Sequence, residues 1–251
     1  MIYFVGAGPG DPELITVKGA RIIAGADVVV YAGSLVNPAV LENCRPDVEV
    51  YNSAGMNFEE VMAVMVNSWQ QGKTVARVHT GDPSLYGAIQ EQMDALAEKN
   101  IKFEVIPGVS SFFAAAAAVP HELTLPEVSQ TVILTRLEGR TPVPDSEKLA
   151  DLARHRSTMC IFLSVNQMER VAGELVQGGY SSETTVYVVE RASWPDQRVI
   201  RGTLGNIAAM VRQAGITRQA LIMVGEVFGD SYARSRLYDK GFSHGFREST
   251  P

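Results

Sequence analysis

Three short segments concentrate the residues able to do chemistry: GAGPGD (Gly6 to Asp11), HTGDPSLYG (His79 to Gly87) and PGVSS (Pro107 to Ser111). Each joins glycines, which let a backbone come close to a ligand, to carboxylate, hydroxyl or imidazole groups. The first imitates the dinucleotide pattern G-x-G-x-x-G through Gly6 and Gly8, but Asp11 takes the third glycine position and Pro9 stands between. A pyrophosphate turn needs free N–H groups at a helix N-terminus. Pro9 has none to give, and the Asp11 carboxylate sits where the phosphate charge would go. The acid expected at the far end of the second strand is missing too, because VVVYAGS (Val28 to Ser34) ends in glycine and serine, with Asp27 at its entrance. No Gly-Lys-Ser/Thr follows at P-loop spacing. Acid-containing turns of this kind suit a ligand with cationic groups better than one with phosphates. His79 is a candidate base or substrate contact, and equally a histidine that ends a buried strand and is simply hydrogen-bonded.

The elements that must position these segments alternate along the chain. Strand-like IYFVGA, DVVVYA, TVARVH and FEVIP are separated by helix-like stretches at about 16–24, 58–71 and 87–99, and an alanine-rich helix begins near Ser110. This alternation predicts a mostly parallel sheet covered on both faces, with the three turns along its carboxyl edge, where open α/β sheets bind ligands. Two prolines interrupt the pattern in VPHELTLPEVS. We therefore divide the chain into an N-terminal α/β domain at 1–118, a linker at 119–129 and a C-terminal mixed α/β domain with a tail at 130–251. In the second half QTVILTR, TMCIFLSV, TTVYVVERA, RVIRGTL and QALIMVGEVF read as strands, and Thr184 to Ala192 with Arg198 to Leu204 flank SWPDQ as a hairpin.

Composition narrows the function further. With 46% hydrophobic and 20% charged residues the chain is globular, and a formal net charge of -6 argues against a nucleic-acid partner. Cys44 and Cys160 have no metal-type spacing, so no metal is expected; Cys160, within TMCIFLSV, reads as a buried inert thiol, and a reducing, cytoplasmic setting follows. FFAAAAAV is far short of a membrane span, and the apolar N-terminus, lacking a basic leader, reads as a first core strand, so no membrane partner is expected. Met62, Met65 and Met93 fall at helix spacing and belong to a core; Glu59 and Glu60 belong to a solvated first helical turn, and His121 and His155 to the surface.

VGAGPGDPELIT, RVHTGDPSLYG, VIPGVSSFFAAAA, LTLPE, QTVILTR and WPDQRVIRGTL, in that order and spacing, resemble the tetrapyrrole methylases, the S-adenosylmethionine-dependent enzymes of cobalamin and sirohaem synthesis, over essentially the whole chain. Within that family SAGM, RVHTGDPSLYGAIQEQM, TRLEGRTPVP and SRLYDKGFSHGFR are similar to the branch that methylates C11 of precorrin-4 or cobalt-precorrin-4. The resemblance implies two α/β domains with the cofactor in the cleft between them, S-adenosyl-L-methionine as methyl donor, S-adenosyl-L-homocysteine as product, a small-molecule tetrapyrrole as substrate, and a homodimer. It places cofactor contacts on Pro9, Thr80, Gly81, Asp82, Leu85, Ser110, Ser111, Ala192 and Leu163, a position where the family often carries methionine. A zwitterionic ligand needs such amides, hydroxyls and acceptors beside an apolar wall. The implied substrate carries many carboxylates while the chain is acidic, so positive charge must be gathered locally. Arg136, Arg140, Arg191, Arg234, Arg236 and Arg247 are the candidates, with Tyr86 beside the second turn. Two alternatives stay open: a methylase of the same fold acting on another tetrapyrrole carbon, a translation factor or ribosomal RNA, and a noncatalytic ligand-binding module.

Overall fold

The computed structural model describes residues 1–229 and 232–248. Its contacts divide the chain into two compact units, Met1–Ala115 with Arg191–Gln197, and Ala116–Glu190 with the chain from Arg198 onward.

In the first unit five strands, β1 (Ile2–Gly6), β2 (Val28–Tyr31), β3 (Glu49–Asn52), β4 (Val75–His79) and β5 (Phe103–Ile106), form an all-parallel sheet in the order β3-β2-β4-β1-β5. β3 is the strand that the sequence pattern missed. It reads EVYN, sits at the sheet edge and is largely exposed, so it has no apolar run to betray it. The helices are α1 (Val17–Gly25), α2 (Phe58–Gln70), α3 (Gln90–Glu98) and α4 (Ser111–Ala118). Thr16 caps α1 by accepting the Gly19 N–H, and Asn57 with Glu60 closes a reciprocal capping box at α2, so Glu60 holds a helix end rather than only facing water. α3 begins at Gln90 rather than Gly87, because Tyr86 and Ala88 are held at φ 57° and 50°, outside helical geometry.

The sheet is buried on both faces. Ile23 of α1 packs with Val5, Val29, Ala76 and Val78 on one face, while Met62, Met65 and Leu96 of α2 and α3 cover Ile2, Phe4, Val28, Val30 and Val75 on the other. Met62 and Met65 are core residues as their spacing predicts, and burial of a side chain such as Met65 contributes roughly 1.5–3 kcal/mol. β1 and β4 are neighbours, yet the chain leaves β1 for the α1 face and β4 for the α3 face. Their carboxyl ends therefore flank the crevice that such a reversal opens, the usual ligand position in open α/β sheets.

The second unit holds β6 (Val132–Arg136), β7 (Thr158–Phe162), β8 (Thr185–Glu190), β9 (Arg198–Thr203) and β10 (Ala220–Val224) in the order β6-β7-β10-β8-β9. β6 and β7 are parallel and the remaining pairs antiparallel, β8 and β9 forming the expected hairpin. Three helices that the strand pattern left unread, α5 (Leu149–Ala153), α6 (Met168–Gln177) and α7 (Ile207–Gln213), close one core in which Leu149, Val171, Leu175 and Ile207 meet Ile161, Val188 and Ile222. Burial pushes the Cys160 thiol up to about 12, which leaves it inert at neutral pH. Residues 119–129, read as a linker, fall in the second unit: Leu125 bridges Ser129, and Thr158 Oγ1 donates to the Leu123 carbonyl at 2.8 Å. His121 is half-buried here, its ring edge-on to Phe228 at 5.5 Å, and so is not the surface residue its polar setting predicts. Among the described residues no helix is long and apolar enough to cross a membrane, and no cluster of His, Cys, Asp and Glu could hold a metal ion.

Candidate functional site

The carboxyl ends of β4, β1 and β5 lie side by side, and the turns that follow them are tied to one another by their backbones. The Gly81 N–H donates to the Gly8 carbonyl at 2.8 Å, the Gly8 N–H returns to the Gly81 carbonyl at 3.3 Å, and the Ala7 N–H reaches the His79 carbonyl at 2.8 Å. This pairing needs left-handed backbone at Gly8 (φ 78°) and Gly81 (φ 60°). The third turn closes against the other two. A Cβ on Gly6 would stand 2.6 Å from Gly108 N and Cα and 2.7 Å from the Gly81 carbonyl oxygen, and a Cβ on Gly108 would overlap that same oxygen. These glycines thus let three turns meet, before any ligand is considered.

Asp82 fastens the junction. Its Oδ1 accepts the Ser84 N–H at 2.8 Å and its Oδ2 accepts the Gly108 N–H at 2.9 Å, so one carboxylate caps its own turn and holds the next. Asp11 is engaged in the same manner, its Oδ1 capping the single turn Pro12–Leu14 through the Glu13 N–H. With both carboxylates serving backbone donors, the groups left for a ligand are hydroxyls. Those of Thr80, Ser110 and Ser111 form no hydrogen bond within the described residues, and Ser110 and Ser111 border Gly81, whose added Cβ would lie 3.6 Å from Ser110 Cα and 3.7 Å from Ser111 N. Leu85 completes the turn that Asp82 opens, donating its N–H to the Asp82 carbonyl.

His79 lies beneath these turns, 4% exposed, with an Nε2 that has no partner among the described residues. Burial, reinforced by the Arg77 guanidinium, lowers its pKa to about 3, so the ring is neutral and a weak proton acceptor. Arg77 is itself buried, its pKa lowered to about 10 by desolvation, and it donates to Gln92 Oε1, the Val30 carbonyl and Ser53 Oγ.

Sequence reasoning missed a further group. The chain between β8 and β9 belongs to the first unit and lies on the first turn: Trp194 Nε1 donates to the Pro9 carbonyl at 3.1 Å, and the Asp11 N–H donates to Ser193 Oγ at 3.0 Å. Asn37 Nδ2 holds the Gly10 carbonyl between them at 2.8 Å. Ala192, 5% exposed, is bracketed by Arg191 and Ser193 at φ 49° and 67°. The one signal in the sequence was a tryptophan in a polar hairpin loop, with no apolar pattern to place it in a core.

Of the residues singled out from sequence, Pro9, Thr80, Gly81, Asp82, Leu85, Ser110, Ser111 and Ala192 belong to the first unit, together with Tyr86 and Arg191. Leu163 belongs to the second, exposed just after β7 at φ 54°. Arg136 is turned into its own loop, donating to the carbonyls of Leu137, Thr141 and Pro142. Arg191 stacks on the Trp194 ring at 4.1 Å and pairs with Asp196, and Arg247 donates to the carbonyls of Leu237, Asp239 and Phe242. Arg140, Arg234 and Arg236 are exposed and their guanidinium groups have no partner among the described residues.

A parallel sheet with this glycine-built, hydroxyl-lined edge, followed by a mixed sheet, defines a two-unit α/β ligand-binding protein. The chain belongs to the Tetrapyrrole (Corrin/Porphyrin) Methylases, whose family model matches residues 1–208. It is 59% identical over 249 residues to the cobalt-precorrin-4 C(11)-methyltransferase of Methanocaldococcus jannaschii, covering 99% of this chain and 96% of that protein. To the precorrin-4 C(11)-methyltransferase of Pseudomonas aeruginosa it is 49% identical, covering 98% of each. Among solved structures it is similar to a cobalt precorrin-4 methyltransferase of cobalamin biosynthesis, with TM-score 0.89 and 48% identity over 91% of this chain and 96% of that one. It is also similar to the Thermus thermophilus uroporphyrin-III C-methyl transferase complexed with S-adenyl homocysteine, with TM-score 0.75 and 28% identity over 91% and 93%.

Proposed function

We propose that this chain is an S-adenosyl-L-methionine-dependent C-methyltransferase that acts at C11 of precorrin-4 or cobalt-precorrin-4 in corrin biosynthesis. The observation that carries the reading is the junction of three turns at the carboxyl edge of β4, β1 and β5, with the hydroxyls of Thr80, Ser110 and Ser111 left unbonded among the described residues, in a chain so similar along its length to enzymes of that name. The residues fit the donor: a zwitterion with a ribose needs amides and hydroxyls at close range, and a cradle without Cβ atoms lets backbone supply them. Pro9, Thr80, Gly81, Asp82, Leu85, Ser110, Ser111 and Ala192 hold it, Asp82 through the turn it fastens. When bound, the donor supplies an activated methyl group and a neutral thioether as leaving group.

The protein's own contribution is alignment. Rigid turns fix the donor, so that an approach in line with an electron-rich ring carbon needs no further ordering, an advantage that reaches roughly 7–11 kcal/mol in well-oriented systems. Exposed Arg140, Arg234 and Arg236 supply cationic groups for the substrate's carboxylates. His79, neutral and buried, supports the turn through its carbonyl instead of moving a proton. The reading includes a homodimer in the cytoplasm. Exposed Tyr238, Phe242 and Phe246 support a partner surface, and the free thiols Cys44 and Cys160 support a reducing compartment.

The experiment is methyl transfer by the purified protein, with S-adenosyl-L-methionine and either metal-free or cobalt precorrin-4, read by mass spectrometry and by NMR of the product. One methyl group gained at C11 is the expected result. Methylation of an earlier tetrapyrrole instead, or binding of the donor with no transfer to either precorrin, would overturn the assignment. Light scattering of the same sample measures the dimer.

A further inference from the structure

We infer that the segment Arg191–Gln197 is a clasp that sets the first turn of the methyl-donor site, with Trp194 as its positioning residue. The inference rests on the donor site proposed above. Its geometry is specific. The first turn leaves β1 with Pro9 and Gly10 buried, and three consecutive residues are each gripped by a side chain from elsewhere: the Pro9 carbonyl by Trp194, the Gly10 carbonyl by Asn37, and the Asp11 N–H by Ser193. The indole lies so close over Gly10 that a Cβ there would overlap its Cδ1 and Nε1 atoms. The Arg191 guanidinium stacks on the same ring at 4.1 Å and is itself paired with Asp196.

Nothing in the parallel sheet requires this segment. Its seven residues follow β8 and precede β9, and a hairpin between those strands could close with a short polar turn. The chain instead holds two non-glycine residues, Arg191 and Ser193, in left-handed backbone to carry the loop across the turn. Ser193 N–H donates to Gln197 Oε1 and Trp194 N–H to the Arg191 carbonyl, so the loop is ordered by its own bonds before it meets the turn. It also places Ala192, a proposed donor contact, in the same segment that grips Pro9, another. One loop thereby fixes the spacing of two contacts that are 183 positions apart in the chain.

Trp194 and Trp69 are the two tryptophans, so a Trp69→Phe background makes the indole emission a direct report of the clasp. In that background S-adenosyl-L-homocysteine is titrated by calorimetry and by fluorescence. The expected result is an emission change that saturates at the calorimetric stoichiometry. Trp194→Phe, which keeps a ring over Gly10 but donates nothing, weakens binding about threefold, and Trp194→Ala about tenfold, with melting temperature compared for each. Gly10→Ala alone also weakens binding by displacing the indole, whereas adding Gly10→Ala to Trp194→Ala costs nothing more, a non-additivity that a general loss of stability would not produce. If the parent binds S-adenosyl-L-homocysteine but Trp194→Ala binds equally well, or the two Gly10→Ala effects add, the clasp is wrong while the donor site stands. If the parent binds none, the donor site and the clasp fall together.

Discussion

Asp82 tests how the three turns are held and whether holding them makes the site. Asp82→Ala removes both acceptors, freeing the Ser84 N–H within its own turn and the Gly108 N–H across to the next. Asp82→Asn keeps one oxygen but replaces the other by an amide NH2, so one of the two donors loses its acceptor. The bond within the turn resembles a helix cap, worth about 1 kcal/mol. The bond to Gly108 is charge-assisted and partly buried, worth about 1.5 kcal/mol at the lower end of its class because Asp82 is half-exposed. The alanine variant should therefore lose roughly 2–3 kcal/mol and the asparagine variant roughly 1–1.5 kcal/mol of stability. Trp69 and Trp194 both belong to the first unit, so urea unfolding followed by tryptophan emission reads the loss where it occurs. With the donor held at the joined turns, as proposed, S-adenosyl-L-homocysteine affinity should fall by about 1–2 kcal/mol in Asp82→Ala, or roughly 5- to 30-fold. A midpoint unchanged from the parent would show that the bond to Gly108 holds nothing. A lower midpoint with unchanged affinity would show that the junction is structural and that the ligand sits elsewhere.

Gly6→Ala places a Cβ 2.6 Å from the Gly108 backbone, which no rotamer relieves, so this variant should lose donor binding outright and melt well below the parent; a soluble variant with parental affinity would refute the close packing. His79→Gln tests the buried imidazole through pH. The unfolded chain takes a proton near 6.5 and the folded chain only near 3, so the parent loses stability as pH falls through that window; between pH 7 and pH 4 its advantage over the variant should shrink by roughly 2–3 kcal/mol in urea titrations, and a pH-independent difference would show that His79 is accessible to protons. Arg136→Met should release the loop from Leu137 to Pro142, raising amide exchange at Glu138 to Thr141 along with any loss of turnover. Lost turnover with unchanged exchange would instead make Arg136 a substrate contact.

The sequence by itself determined the parts whose cause is local. Alternating apolar runs placed β1, β2, β4 and β5; helix-like stretches at about 16–24 and 58–71 placed α1 and α2; and Pro9 with Asp11 excluded a pyrophosphate turn, because a missing N–H and a misplaced carboxylate act within a few residues. The ordered turn motifs pointed to the family for the same reason, since each is a contiguous segment with its own backbone demand. β3 and the late start of α3 escaped because an exposed edge strand has no apolar signature and left-handed backbone at Tyr86 and Ala88 has no unique residue code. Only tertiary structure decided that Asp82 fastens Gly108, that Gly6, Gly81 and Gly108 share one point of contact, that Arg136 folds into its own loop, and that Trp194 covers Gly10. The physical reason is distance along the chain. Strand order brings turns from β1, β4 and β5 together and a loop from beyond residue 190 over the first of them, so each side chain's partner is chosen by the fold and not by its neighbours in sequence.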